Sequence, residues 1–117
     1  MKKNLKNVWL VFVHIKAKTG FRFNDLIDLE SSEEKNDQFK GAWANILVKA
    51  KSIKEAIEIV PLGLDELNFS VKFIDKIENI ASLIEHDEIN NDVIDEAKWL
   101  SKSDFVFKIS NKIFPYK

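Results

Sequence analysis

The sequence predicts an α+β fold: a single mixed β-sheet of four to five strands, in the order β-β-α-β-α-β, with two helices on one face. Three observations carry this. The stretch GAWANILVKAKSIKEAIEIVPLGLDELNFSVKFIDKIE from Gly41 to Glu78 changes its apolar period from two to 3.6 and back, the signature of strand, helix, strand. Before it, VWLVFVHIK at residues 8 to 16 is apolar on both faces and rich in Val, Ile, Trp and Phe, as in a strand flanked by others. After it, a second stripe of helical period precedes a last alternating segment, FVFKIS. At 117 residues and 45% hydrophobic content, the chain has material for one core, and residues 1–117 are read as one domain.

Each element has its own local reasons. In residues 42 to 50, Ala42, Ala44, Ile46 and Val48 alternate with Trp43, Asn45, Leu47 and Lys49, a strand with one face buried more deeply than the other. Ser52, with Glu55 three places later, forms a capping box, so a helix starts at once. Ile53, Ala56, Ile57, Val60, Leu64 and Leu67 form its stripe. Pro61 lacks an amide donor and crowds the carbonyl one turn back, which predicts a kink or break near Ile59 to Pro61. Phe69, Val71 and Phe73 return to period two, with the alternation disturbed at Ile74. A strand, a packed helix and a second strand imply a right-handed crossover with the two strands parallel, adjacent or one apart.

The flanking regions follow the same logic. Lys18-Thr19-Gly20 reads as a turn, followed by a possible short strand at Phe21 to Phe23, a brief helix capped by Asn24, and an exposed loop from Ser31 to Gln38. A short helical turn fits residues 80 to 88. Asn90 or Asn91 caps a helix whose stripe is Val93, Ala97 and Leu100, flanked by Ile94 and Trp99. Phe105, Phe107 and Ile109 begin the last strand, and Ile113 to Tyr116 tuck against the body.

Composition narrows the function classes. There is no cysteine, which removes disulfides, thiolate catalysis and cysteine-bound zinc. The apolar run after MKKNLKN is too short for a signal peptide, and nothing approaches the roughly 18 uncharged residues of a membrane span. A soluble, cytoplasmic protein is expected. Gly20, Gly41 and Gly63 are the only glycines, and no phosphate-binding loop or dinucleotide fingerprint can be built from them. No serine lies in a nucleophile elbow. His14 reads as a sheet histidine with a hydrogen-bond partner, and His86 lies among acids without a second imidazole at ligand spacing. No enzyme, cofactor or metal is expected; the competing class is a small hydrolase built from His14, His86 and nearby carboxylates. Trp9, Phe12, Phe21, Arg22 and Phe23 mix aromatic and basic residues as single-strand nucleic-acid binders do, but their strand pattern assigns them to the core.

Charge is the remaining signal. The net charge is −1, yet residues 85 to 96 hold six acids and no Lys or Arg, and residues 25 to 37 hold six acids and one lysine. Glu85, Asp87, Glu88, Asp92, Asp95 and Glu96 are the candidate partner-binding residues, because concentrated carboxylates speed association with a basic partner. The bland reading is a solvated loop and an acidic first helical turn favoured by the helix dipole. The block from Asp25 to Asp37 is the alternative surface.

The segment GAWANILVKAKSIKEA, the following Leu64-Asp65-Glu66-Leu67, FSVKFIDKIENI and the aromatic end FVFKISNKIFPYK together resemble small bacterial immunity proteins. These neutralise toxins of the contact-dependent growth inhibition or polymorphic toxin type, and the likeness covers about half the chain. It implies a non-enzymatic cytoplasmic protein that binds one cognate toxin, a nuclease by preference, and blocks its active site or substrate path. The partner expected is thus a basic toxin domain, with neither nucleic acid nor membrane bound directly. No individual residue role carries over. The alternative is a small ligand-binding regulatory domain, which a deep apolar pocket beside the proline-containing helix would favour.

Overall fold

The computed structural model describes residues 5–26 and 39–116. In chain order they form β1 (Val8–Ala17), a helical turn α1 (Phe23–Leu26), β2 (Gly41–Lys49), α2 (Ile53–Glu66), β3 (Phe69–Asn79), α3 (Ile80–Glu85), α4 (Asn91–Lys102) and β4 (Phe107–Tyr116). This is an α+β fold with one four-stranded sheet in the order β3-β1-β2-β4. Every hydrogen-bonded neighbour pair is antiparallel. The sheet is therefore antiparallel throughout and not mixed as expected: β2 and β3 do run in the same direction, but with β1 between them, the one-apart arrangement that the strand, helix, strand pattern allows. β1, apolar on both faces, is interior as its composition requires.

The two main helices lie on opposite faces, contrary to the expectation of one shared face. Val11, Val13 and Ile15 of β1 and Ala42, Ala44, Ile46 and Val48 of β2 share one core with Ala56, Val60 and Leu64 of α2. Val8 and Leu47 share another with Ile80 and Leu83 of α3 and Val93, Ala97 and Leu100 of α4. Successive strand residues point to opposite faces, so Leu47 between Ile46 and Val48 puts α4 across the sheet from α2. The period of a helix reports that it has a buried stripe; it carries no information about which side of the sheet receives it.

Local chemistry sets the helix ends. Ser52 Oγ accepts from the Glu55 amide at 3.2 Å, and Glu55 Oε1 accepts from the Lys51 amide at 3.3 Å, a capping box whose second bond falls one residue early. Asn79 and Asn90 cap α3 and α4 by accepting from the Ser82 and Val93 amides. Of the kink or break expected near Pro61, a break does not occur, since α2 continues through Pro61 to Glu66. Val60, Gly63 and Leu64 are all buried around that position, and tertiary packing outweighs the one lost backbone bond. Of the predicted stripe, Ile53, Ile57 and Leu67 are 43–49% exposed, leaving a narrower buried seam. Gly63 completes that seam, because a Cβ there would stand 2.5 Å from the Phe107 ring.

Two further expectations change. Residues 21 to 23 form no strand: after the turn closed by the Phe21 amide and the Lys18 carbonyl at 3.0 Å, the chain enters α1 at Phe23 itself. The tail is not merely tucked in, since Ile113 to Tyr116 belong to β4 and pair with Gly41 to Ala44. The register shift between Ala44 and Ile46 hides this strand from a period-two search, and Pro115 is tolerated because β4 is an edge strand. The disturbance at Ile74 is real: β3 slips against β1 at Phe12/Val13 and at His14/Ile15. The loop expected at Ser31 to Gln38 lies outside the described residues.

Candidate functional site

Among the described residues, the face of the sheet that carries α3 and α4 is covered only at one end. Its other end is paved with aromatic side chains from all four strands. Phe12 and His14 stand two apart on β1, and the register sets His14 opposite both Trp43 of β2 and Phe73 of β3. Trp43 in turn pairs with Phe114 of β4. The rings organise one another: Phe12 and Trp43 stack with centroids 5.4 Å apart, His14 and Trp43 at 4.9 Å, and Phe73 meets Trp43 edge-on at 6.4 Å. His14 Nε2 and the Tyr116 hydroxyl lie 2.5 Å apart. Gly41 makes room there, as a Cβ would come within 2.7 Å of the Tyr116 hydroxyl and 2.5 Å of the Ile15 carbonyl oxygen. Stacking buries part of each inner ring, yet Phe73 and Phe114 remain 54% and 56% exposed. A hollow of about 380 Å³ opens between Phe12, Trp43, Phe114 and Asp75.

This floor is the feature that sequence reasoning missed. Phe12 and Trp43 alternate like core residues, and period two does not distinguish a face covered by a helix from one that no described element covers. One signal was available: the facing positions under α2 are Ala, Val and Ile, whereas Phe12, His14, Trp43, Phe73 and Phe114 are all aromatic.

The predicted acidic residues divide into two groups. Glu85, Asp87, Glu88 and Asp95 are exposed on α3, the connection after it and the solvent side of α4. Asp92 is exposed in the first turn of α4, with Lys112 Nζ 3.4 Å away. Glu96 is committed inward: it accepts from Ser110 Oγ at 2.6 Å, the Asn111 amide at 2.9 Å and Lys108 Nζ at 2.9 Å. Burial alone raises its carboxyl, but these hydrogen bonds and the Lys108 charge outweigh burial and hold it below the usual carboxylate range. Glu96 therefore clamps α4 to β4 and is not free to meet a partner. The connection after α3 turns at Asp87, which has a φ of 55°. The alternative block from Asp25 to Asp37 falls almost wholly outside the described residues.

The two histidines do not share a cleft. His86 Nδ1 lies 2.8 Å from the Ser82 carbonyl oxygen and lines a separate hollow with Glu78 and Asn79. Those residues pair with Leu10 and Trp9, well along β1 from His14. A second apolar hollow of about 680 Å³ runs between α2 and the start of β4, lined by Ile59, Leu62, Gly63, Leu67, Phe105 and Val106 among others. The mixed aromatic and basic set of the sequence is dispersed: Phe23 is buried, Trp9 packs against the same core, and Phe21 is exposed. Among the described residues, no helix is long and apolar enough to cross a membrane. In comparisons with known proteins, no family model, no curated protein and no solved structure matches the chain.

Proposed function

We propose that the protein is a non-catalytic binding module of the immunity type, acting in the cytoplasm, which holds a cognate toxin domain and blocks its active site or substrate path. The observation that carries this reading is the bare aromatic end of the sheet. An apolar patch built from rigid rings, with the Asp75 carboxylate beside it, has the composition of an interface centre. Asp75 borders it, while Glu85, Asp87, Glu88, Asp92 and Asp95 carry negative charge along the helical side. The partner that fits is a protein with a basic surface, such as the substrate cleft of a nuclease.

The test is co-expression with the toxin domain encoded beside it, together with co-purification of the two chains. Rescue of growth and a stable complex are expected. Raising salt should slow association far more than it speeds dissociation, because exposed charges beyond about 8 Å are screened at physiological ionic strength. Failure to bind or protect against any adjacent gene product overturns the reading. The hollow beside α2 favours a second one, a ligand-binding regulatory domain. An apolar fluorescent probe displaced from wild type but not taken up by Leu62→Glu would support it.

A further inference from the structure

We infer that the hollow between Phe12, Trp43, Phe114 and Asp75 is a receptor for a guanidinium group, the arginine side chain of a bound protein. Three of its four walls are aromatic rings and the fourth is a carboxylate. That combination suits a flat, weakly hydrated cation, which can lie against a ring while donating to an acid. Asp75 is available for the purpose. It is exposed, and among the described residues its carboxylate has neither hydrogen bond nor ion pair. Two lysines of the adjoining strands face other acids: Lys76 lies 3.7 Å from Glu78, and Lys112 lies 3.4 Å from Asp92.

The backbone explains how the carboxylate reaches the rings. β3 slips by one residue against β1 between Phe12 and Val13, where Phe12 faces Lys76 and Val13 faces Ile74. Asp75 is the extra residue of that irregularity, and a bulge re-aims the side chain it frees. Without the bulge, strict alternation from Phe73 on the aromatic face would still bring residue 75 to that face, but paired in the ladder with Phe12. The bulge lifts it out of the ladder and into the hollow.

That the guanidinium belongs to a toxin rests on the function proposed above; the cation preference does not. The experiment therefore separates them. N-acetyl-arginine amide is titrated into the intact protein while the tryptophan indole N–H resonances are followed by NMR. Its neutral isostere, N-acetyl-citrulline amide, is titrated in parallel. Trp43 should shift with the arginine compound and not with the citrulline one. Trp9, whose Nε1 donates to the Ala50 carbonyl at 2.9 Å, should stay still. Asp75→Asn should weaken the response about fivefold, as expected for loss of an exposed ion pair beside a ring. Phe114→Leu keeps the apolar wall without the ring and should also weaken it, whereas Glu58→Gln, exposed on α2 across the sheet, should leave it intact. Equal response to citrulline, no response of Trp43, or an unchanged Asp75→Asn titration overturns the inference. Arginine binding without growth rescue would instead overturn the immunity reading and leave the receptor standing.

Discussion

The two faces of the sheet solve different problems with the same alternation. Under α2, Val11, Val13, Ile15, Ala42, Ala44, Ile46 and Val48 are each wholly buried. Small and β-branched residues there let a helix sit close, and Phe23, Phe39 and Phe69 close the ends of that core. Across the sheet, among the described residues, α3 and α4 seal only the end around Val8 and Leu47. Beyond it the rings of Phe12, Trp43 and His14 cover one another, and the two outer strands contribute Phe73 and Phe114 to solvent. The first face is finished by folding. The second keeps large rings at the surface, which limit their own exposure by stacking on one another.

The largest expected difference lies in truncation. Leu64→Ala removes fully buried volume beneath α2 and should cost about 2–5 kcal/mol in urea unfolding. An indistinguishable unfolding midpoint would mean that α2 is not the lid of that core. Gly63→Ala comes next. The added methyl collides with Phe107, which should cost about 1–3 kcal/mol of overpacking against a gain of about 1 kcal/mol in helix propensity. Net stabilisation would show that Phe107 yields freely.

Glu96→Gln tests the clamp on the half-covered face, and the expected loss is about 1–2 kcal/mol from weakened hydrogen bonds to a charged acceptor. Its pH signature is more specific. A carboxyl held low in the folded state contributes stability that is fully present above its unfolded pKa and disappears as pH falls through the folded one. Wild type should therefore lose more stability on acidification below the ordinary carboxylate range than the glutamine variant does. Parallel curves would show that Glu96 is not perturbed. The smallest effect belongs to the bare end: Phe73→Ser and Phe114→Ala should each change stability by no more than about 0.5 kcal/mol while weakening partner binding. If they cost as much as Leu64→Ala, the comparison of the two faces collapses.

Much of this was legible in the chain. Ser52 and Glu55 announced the start of α2, Val93, Ala97 and Leu100 the seam of α4, and the doubly apolar β1 its interior position. The irregularity of β3 showed at Ile74. What escaped was anything that depends on how elements meet. The side taken by α4 turns on Leu47, whose neighbours are equally apolar. The continuation of α2 past Pro61 turns on packing, and the role of Glu96 turns on Ser110 and Asn111 approaching from β4. The site was legible as charge and not as surface: five of the six predicted acids are exposed, but the aromatic floor beside them reads as core in one dimension.

The central place of β1 also bears on how the molecule is made. Val13 pairs with Ala44 on one side and with Ile74 on the other, so the strand that precedes both partners cannot be satisfied until the chain has passed the end of β3. Most of the sheet's pairing is therefore between residues far apart in sequence, and loops must close before those contacts reward them. During synthesis VWLVFVHIK waits with apolar residues on both faces and both backbone edges open, the condition that favours association with other unfinished chains. Refolding should consequently be slow for a chain of this length, and yield should fall with protein concentration long before stability does.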